Sequence, residues 1–188
     1  MCQTGKNEKK ANMLRKIRLF IAIMAVFALS GRVQADMVSD LQKKELVLLV
    51  NNINNAAERK DAALITAQMP ERLYREMAAR MHMSEQALRA GLQQSVAEQF
   101  AHLAVHGYWL DSGNIHYAAA RGGIVYALVP TRVETDKIVT EFMTLAIYDN
   151  TKWHLIYGGQ KTVQNPVFIE IYPYAADIAM PAAKITAK

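Results

Sequence analysis

The chain has 188 residues and a formal net charge of +5, from 22 Lys+Arg against 17 Asp+Glu. Its only cysteine is Cys2, which excludes an intrachain disulfide and any thiolate-rich metal site. The length suits one domain stabilised by its own core.

Met13 to Ala35 has the layout of an export signal. Arg15, Lys16 and Arg18 make a basic n-region and Leu19 to Leu29 a short apolar h-region. Val33 and Ala35 then occupy the two positions that a signal peptidase needs small, so cleavage after Ala35 is expected. The apolar run is shorter than the ~20 residues of a membrane span, and polar Asp36 and Ser39 follow it, which favours cleavage over a retained anchor. Met1 to Asn12 reads either as an extended n-region or as sequence upstream of a start at Met13. Removing residues 1–35 takes away seven basic residues and one acid, Glu8, and leaves 15 basic and 16 acidic residues, a net charge of about −1. The positive field that nucleic acid or an anionic membrane requires goes with the leader, and so does Cys2. The expected product is periplasmic or secreted, with no stable membrane insertion and no nucleic-acid partner.

The first half of the remaining chain is helical in pattern. Ser39 with Gln42 makes a capping box, followed at helical spacing by Leu41, Glu45, Leu48, Leu49, Asn52, Ile53 and Ala56. Asp61 caps a short second helix to Gln68, and Pro70 opens a third to about Met81 with Leu73, Tyr74, Met77 and Met81 on its apolar face. Ser84 caps a longer helix with the stripe Leu88, Leu92, Val96, Phe100 and Leu103, and Gly107 is its expected stop. Gly91 within it suggests a close neighbour.

After Gly107 the hydrophobic period changes from 3.6 to 2. Strands are expected at about 114–120, 123–133, 138–148 and 152–158, with an additional short strand at Tyr108 to Leu110. The fold class is α+β, with N-terminal helices packed on a curved antiparallel meander sheet of four to six strands. Its domain spans residues 36–164, and 165–188 form a C-terminal extension. In that extension either Asn165-Pro166 caps a short helix, or Val167, Ile169 and Ile171 alternate in a further strand.

Turn lengths fix the expected registers. Two-residue loops at Arg121-Gly122 and Thr135-Asp136 set Tyr117 opposite Tyr126 and Leu128 opposite Met143. A three-residue loop at Asp149–Thr151 sets Ile147 opposite Trp153. These choices place Tyr117, Tyr126, Glu141, Met143, Leu145, Trp153 and Tyr157 on one face, toward the helices. The opposite face, with Ala127, Val129, Thr144, Ala146 and His154 among others, is only half polar. A homodimer or another protein partner over it is the expectation.

The hairpin Leu145-Ala-Ile-Tyr-Asp-Asn-Thr-Lys-Trp-His-Leu-Ile156 follows a strand, Asp/Asn turn, Lys-Trp, strand pattern. With helices first and a long meander after, residues 38–160 resemble the nuclear transport factor two-like, or cystatin-like cone, superfamily. The third helix before the sheet and the tail Gln164 to Lys188 depart from its pattern. The resemblance implies a cone with an apolar cavity, and no residue role is carried over from it.

Glu141 is the candidate for catalysis. As the only acid on the expected inward face, beside Tyr117, Tyr126 and Tyr157, it would have a raised pKa and move a proton while phenols stabilise an oxyanion. The competing reading puts it at the rim, paired with Arg132. His102 and His106 have a zinc-compatible spacing without a third ligand, and a helix dipole alone accounts for two histidines at its C-terminus. Met69, Met77, Met81 and Met83 read as core filling before copper binding. No cofactor and no metal are expected.

The leading functional expectation is an exported, non-enzymatic binding or assembly module. A small hydrophobic ligand would sit among Tyr117, Tyr126, Met143, Trp153 and Tyr157. The alternatives are an isomerase- or dehydratase-type enzyme using Glu141 with tyrosine donors, and an accessory protein of the secretion-system or immunity type.

Overall fold

Helix α1 (Asp40–Glu58) begins on a reciprocal cap. The Ser39 hydroxyl accepts from the Gln42 N–H at 3.2 Å, and the Gln42 side chain accepts from the Ser39 N–H at 2.9 Å. The computed structural model of the protein describes residues 38–188, one unit by its own contacts. The expected signal peptide, its cleavage site and Cys2 lie outside these residues. Of the expected α1 stripe only Ile53 and Ala56 are fully buried. The inward face is Leu46, Val50, Ile53 and Ala56, and Leu41 and Leu48 are 67% and 62% exposed. Leucines occupy both sides of this helix, so periodicity alone did not decide which side meets the sheet.

Asp61 caps α2 (Ala62–Thr66) through the Leu64 N–H at 2.9 Å, and Pro70 is the N-cap of α3 (Glu71–Arg80). Ser84 caps α4 (Glu85–Ala101) through the Ala87 N–H at 3.1 Å. This last helix stops at Ala101, earlier than the expected Gly107, and Leu103 already belongs to strand β1 (Leu103–Leu110). A Cβ on Gly91 would meet nothing within 4 Å, so the expected close neighbour is not there.

The other strands are β2 (His116–Ala120), β3 (Ile124–Thr135), β4 (Ile138–Asp149), β5 (Lys152–Ile156) and β6 (Lys184–Ala187). Between β5 and β6 come α5 (Gly159–Val163), α6 (Pro166–Ile171) and a 3-10 turn at Pro173–Asp177. Asn165 caps α6 through the Val167 N–H at 2.9 Å, which resolves the tail's first half as helix. The fold is α+β, with the helices against a curled antiparallel sheet. Strands β3 and β4 are its two long members. On the outer edge of β3, β2 pairs with Ile124–Leu128 and β1 with Thr131–Thr135. On the outer edge of β4, β5 pairs with Leu145–Asp149 and β6 with Ile138–Glu141. The run β2 to β5 is the expected meander, whereas β1 joins β3 rather than β2.

All three hairpin registers differ from expectation. The β2–β3 loop has three residues, Arg121 to Gly123, so Tyr117 faces Ala127 and not Tyr126. Gly122 and Gly123 both have positive φ, 80° and 76°, which the extra residue requires. The β3–β4 loop is Asp136-Lys137, a shift of two positions that sets Leu128 opposite Leu145 and preserves the face. The β4–β5 loop is the two-residue Asn150-Thr151, with φ of 48° and 64°, a primed turn that matches strand twist. Trp153 therefore faces Tyr148 rather than Ile147.

Each one-residue shift moves a whole strand to the other face. One face carries Tyr117, Ala127, Val129, Ala146, Trp153 and Leu155, and it packs on α1. The other carries Tyr126, Leu128, Met143, Leu145, Ile147 and Ile156. It is covered by Phe168, Ile171, Tyr172 and Ile178 of the C-terminal residues and by Leu73 of α3. Ala127, Val129 and Ala146, expected beneath a protein partner, are covered by α1 of the same chain. Both faces are buried, which is why neither reads as polar.

Candidate functional site

The expected site residues divide between the two faces. Tyr117 and Trp153 lie under α1 as a T-shaped pair, ring centroids 6.3 Å apart. The Trp153 indole donates to the Gln42 carbonyl at 2.7 Å and the Tyr117 hydroxyl to the Lys43 carbonyl at 3.4 Å. Carbonyls in the first turn of α1 thus satisfy both polar tips, and the space beneath α1 is filled by fully buried Leu46, Val50, Ile53, Val129 and Leu155. Tyr126 and Met143 pack on the opposite side, against the C-terminal helices.

Glu141 is also on that opposite side, at the far end of the sheet. Its strand neighbours are Arg132 and Lys184, and its carboxylate is 52% exposed and 3.9 Å from the Lys184 ammonium. Arg132 turns instead to Glu134, at 2.6 Å. The Glu141 position opposes Arg132 while Tyr126 opposes Ile147, six residues along the ladder or about 20 Å. Buried phenols around Glu141, the basis of the proton-transfer reading, are therefore not assembled. A shallow concavity of about 430 Å³ runs past Glu141, between Trp109, Arg132, Pro181 and Lys184. Among the described residues no group of three His, Cys, Asp or Glu side chains could hold a metal ion, and no helix is long and apolar enough to cross a membrane.

The larger cavity is built elsewhere. It has a volume of about 550 Å³ and lies between α3, α4, α5 and α6. From α3 come Leu73, Met77 and Arg80, spaced by four and three residues and so on one face. Leu92 and Val96 of α4 form the facing wall, and Phe168 and Ile171 of α6 the third side. Met69 and Tyr157 close the inner end, and at the mouth stand Met81, 57% exposed, and Val167, 39% exposed.

Local chemistry places each wall. Arg89 of α4 ion-pairs with Glu71 at the start of α3, and its guanidinium lies 3.7 Å from the centroid of the Tyr74 ring. That contact sets the spacing between α3 and α4. Arg80, in the last turn of α3, binds Glu170 of α6 at 2.7 Å. Between β5 and α5 the chain reverses at Gly158 and Gly159, with φ of 97° and 63°. A Cβ on Gly159 would come 3.1 Å from the Phe142 ring, so the turn needs glycine for both space and conformation.

Val96 and Tyr157 also line a second chamber of about 280 Å³, between α4 and the helix-facing side of the sheet. Its far walls are Phe100, Leu103, Tyr108, Val133 and Phe142. Val96 and Tyr157 border both spaces, which makes the two chambers neighbours. Tyr157 donates its hydroxyl to the Ile65 carbonyl at 3.1 Å. Burial pushes its pKa well up, with further contributions from Tyr108 and Tyr74. Burial likewise raises Tyr108. These phenols remain neutral in the folded protein at ordinary pH, so they bring no negative charge to either chamber.

Of the expected ligand-binding residues only Tyr157 borders these two chambers. Leu73, Met77, Leu92 and Val96 stood in the sequence as core stripes, and three of the four methionines set aside as core filling, Met69, Met77 and Met81, line the larger one. Lys161 and Arg80 carried no signal. Fold and cavity together define an α+β protein with a helix-walled apolar site beside a curled sheet. Comparison with protein-family models, with curated proteins and with solved structures gives no match.

Proposed function

We propose that this chain is an exported binding module that holds a small apolar ligand in the cavity between α3, α4, α5 and α6. The observation that carries the reading is the helix-walled apolar cavity, with a second apolar chamber beside it. The cavity's volume, about 550 Å³, is within the ~300–1,000 Å³ range of small-molecule sites. Methionine walls suit this role, since unbranched thioether side chains adjust to ligand shape at little cost. Each apolar contact removed from water contributes roughly 25 cal/mol per Å². Export is inferred from the leader-like residues 13–35. Membership of the cone superfamily is part of the same proposal, supported by the order of helices and sheet.

The test uses a neutral solvatochromic dye such as Nile red. The wild-type chain should bind it with a blue-shifted emission, and Val96→Trp, which adds bulk at a wall residue of both chambers, should abolish binding while cooperative melting persists. No dye binding by the wild type, or undiminished binding by Val96→Trp, would defeat the reading. For export, the protein recovered from the periplasm should begin at Asp36.

A further inference from the structure

We infer that the occupant of this cavity is a single-chain fatty carboxylate, its head at Lys161 and its tail along the apolar walls of α3, α4 and α6. This rests on the binding reading above and adds the ligand class. The cavity lining contains two cations, Arg80 and Lys161, and no acid. Arg80 is already compensated by Glu170 at 2.7 Å. Lys161 is exposed at the cavity wall and forms no ion pair among the described residues. One positive charge is thus left over beside an otherwise apolar groove, which matches a monoanionic head group on an apolar body.

The apolar walls suit an alkyl body: Leu73, Met77, Leu92, Val96, Phe168 and Ile171 all line the cavity. A peptide is disfavoured, because its backbone N–H and C=O groups need partners. Apart from its two cations the lining offers only Thr66, Tyr157, Thr162 and Asn165 as such partners. Three of these are already engaged, the Thr66 hydroxyl donating to the Ala62 carbonyl at 2.8 Å, the Tyr157 hydroxyl to the Ile65 carbonyl at 3.1 Å, and the Asn165 carbonyl oxygen accepting from the Val167 N–H at 2.9 Å. An alkyl chain makes no such demand.

Binding of dodecanoate, dodecanol and dodecyltrimethylammonium, each below its micelle concentration, separates the parts of this inference. The full-length wild-type chain should prefer dodecanoate, and Lys161→Glu should weaken dodecanoate by about tenfold, the scale expected for reversing an exposed charge, while dodecanol changes by less than about twofold. Lys161→Gln should give an intermediate loss. If dodecanoate shows no preference over dodecanol, or keeps its preference in Lys161→Glu, the head-group assignment is wrong although the apolar site stands. If none of the three binds, or Val96→Trp leaves all three unaffected, the site itself is wrong and the assignment falls with it.

Discussion

Asn54 shows how one side chain connects a helix to a sheet edge. Its amide donates to the Leu110 carbonyl and accepts from the Leu110 N–H, both at 2.9 Å, taking the place of a neighbouring strand at the end of β1. Asn54→Leu leaves a backbone donor and acceptor unpaired and should destabilise the fold by about 2 kcal/mol, as read by urea unfolding. His154 is a second residue with a measurable signature. It is 4% exposed, and burial lowers its pKa, with Lys152 acting in the same direction and Asp149 against it. The unfolded chain, with a histidine pKa of about 6.5, therefore takes up the proton first. The contribution of neutral His154 is present above that pH and is lost as pH falls through it toward the folded value. His154→Gln should flatten the fall in Tm between neutral and mildly acidic pH, and an unchanged pH profile would count against the assignment. Neither role was readable beforehand. Asn54 acts on a residue 56 positions away, and His154, expected on the same face as Ala127 and Ala146, is moved by the β4–β5 register to the opposite face, across from Ile147, where it is buried.

Among the elements, the hairpins decided the most. Thr151 adopts φ of 64°, a left-handed conformation that a β-branched residue disfavours. The sequence favours a three-residue turn because that keeps Trp153 on the face of Leu145, whereas the fold takes two residues and sets Trp153 beside Ala146 and Leu155 under α1. Thr151→Gly should relieve the conflict and stabilise the protein by about 1 kcal/mol, raising the urea midpoint without changing the slope. The helix caps behaved differently. Ser39, Asp61 and Ser84 each cap the helix expected from its sequence, since capping is settled within four consecutive residues. The end of α4 was misplaced because Leu103 continues the apolar stripe of the helix and yet starts β1. At that point the pairing of β1 with β3 outweighs local helical preference.

At the scale of the molecule, the residues set apart as a C-terminal extension are structural. Phe168, Ile171, Tyr172, Ala175, Ile178 and Met180 are each at most 4% exposed and cover Leu145, Ile147 and Ile156. A chain ending at Gln164 should lose cooperative melting and near-UV circular dichroism and bind hydrophobic dyes nonspecifically. Full retention of cooperative melting would show instead that the extension is dispensable. The same residues supply one wall of the cavity, so folding and ligand binding share this segment. What the sequence by itself determined was the kind and order of the elements, their caps and the α+β class, because periodicity and capping belong to contiguous residues. Only the tertiary structure decided which sheet face meets α1 and where the open space lies. Both faces are apolar, so alternation had no preferred direction, and one residue more or less in a turn reverses a strand. The cavity draws its walls from α3, α4, α5 and α6, and no local pattern records how those helices are spaced.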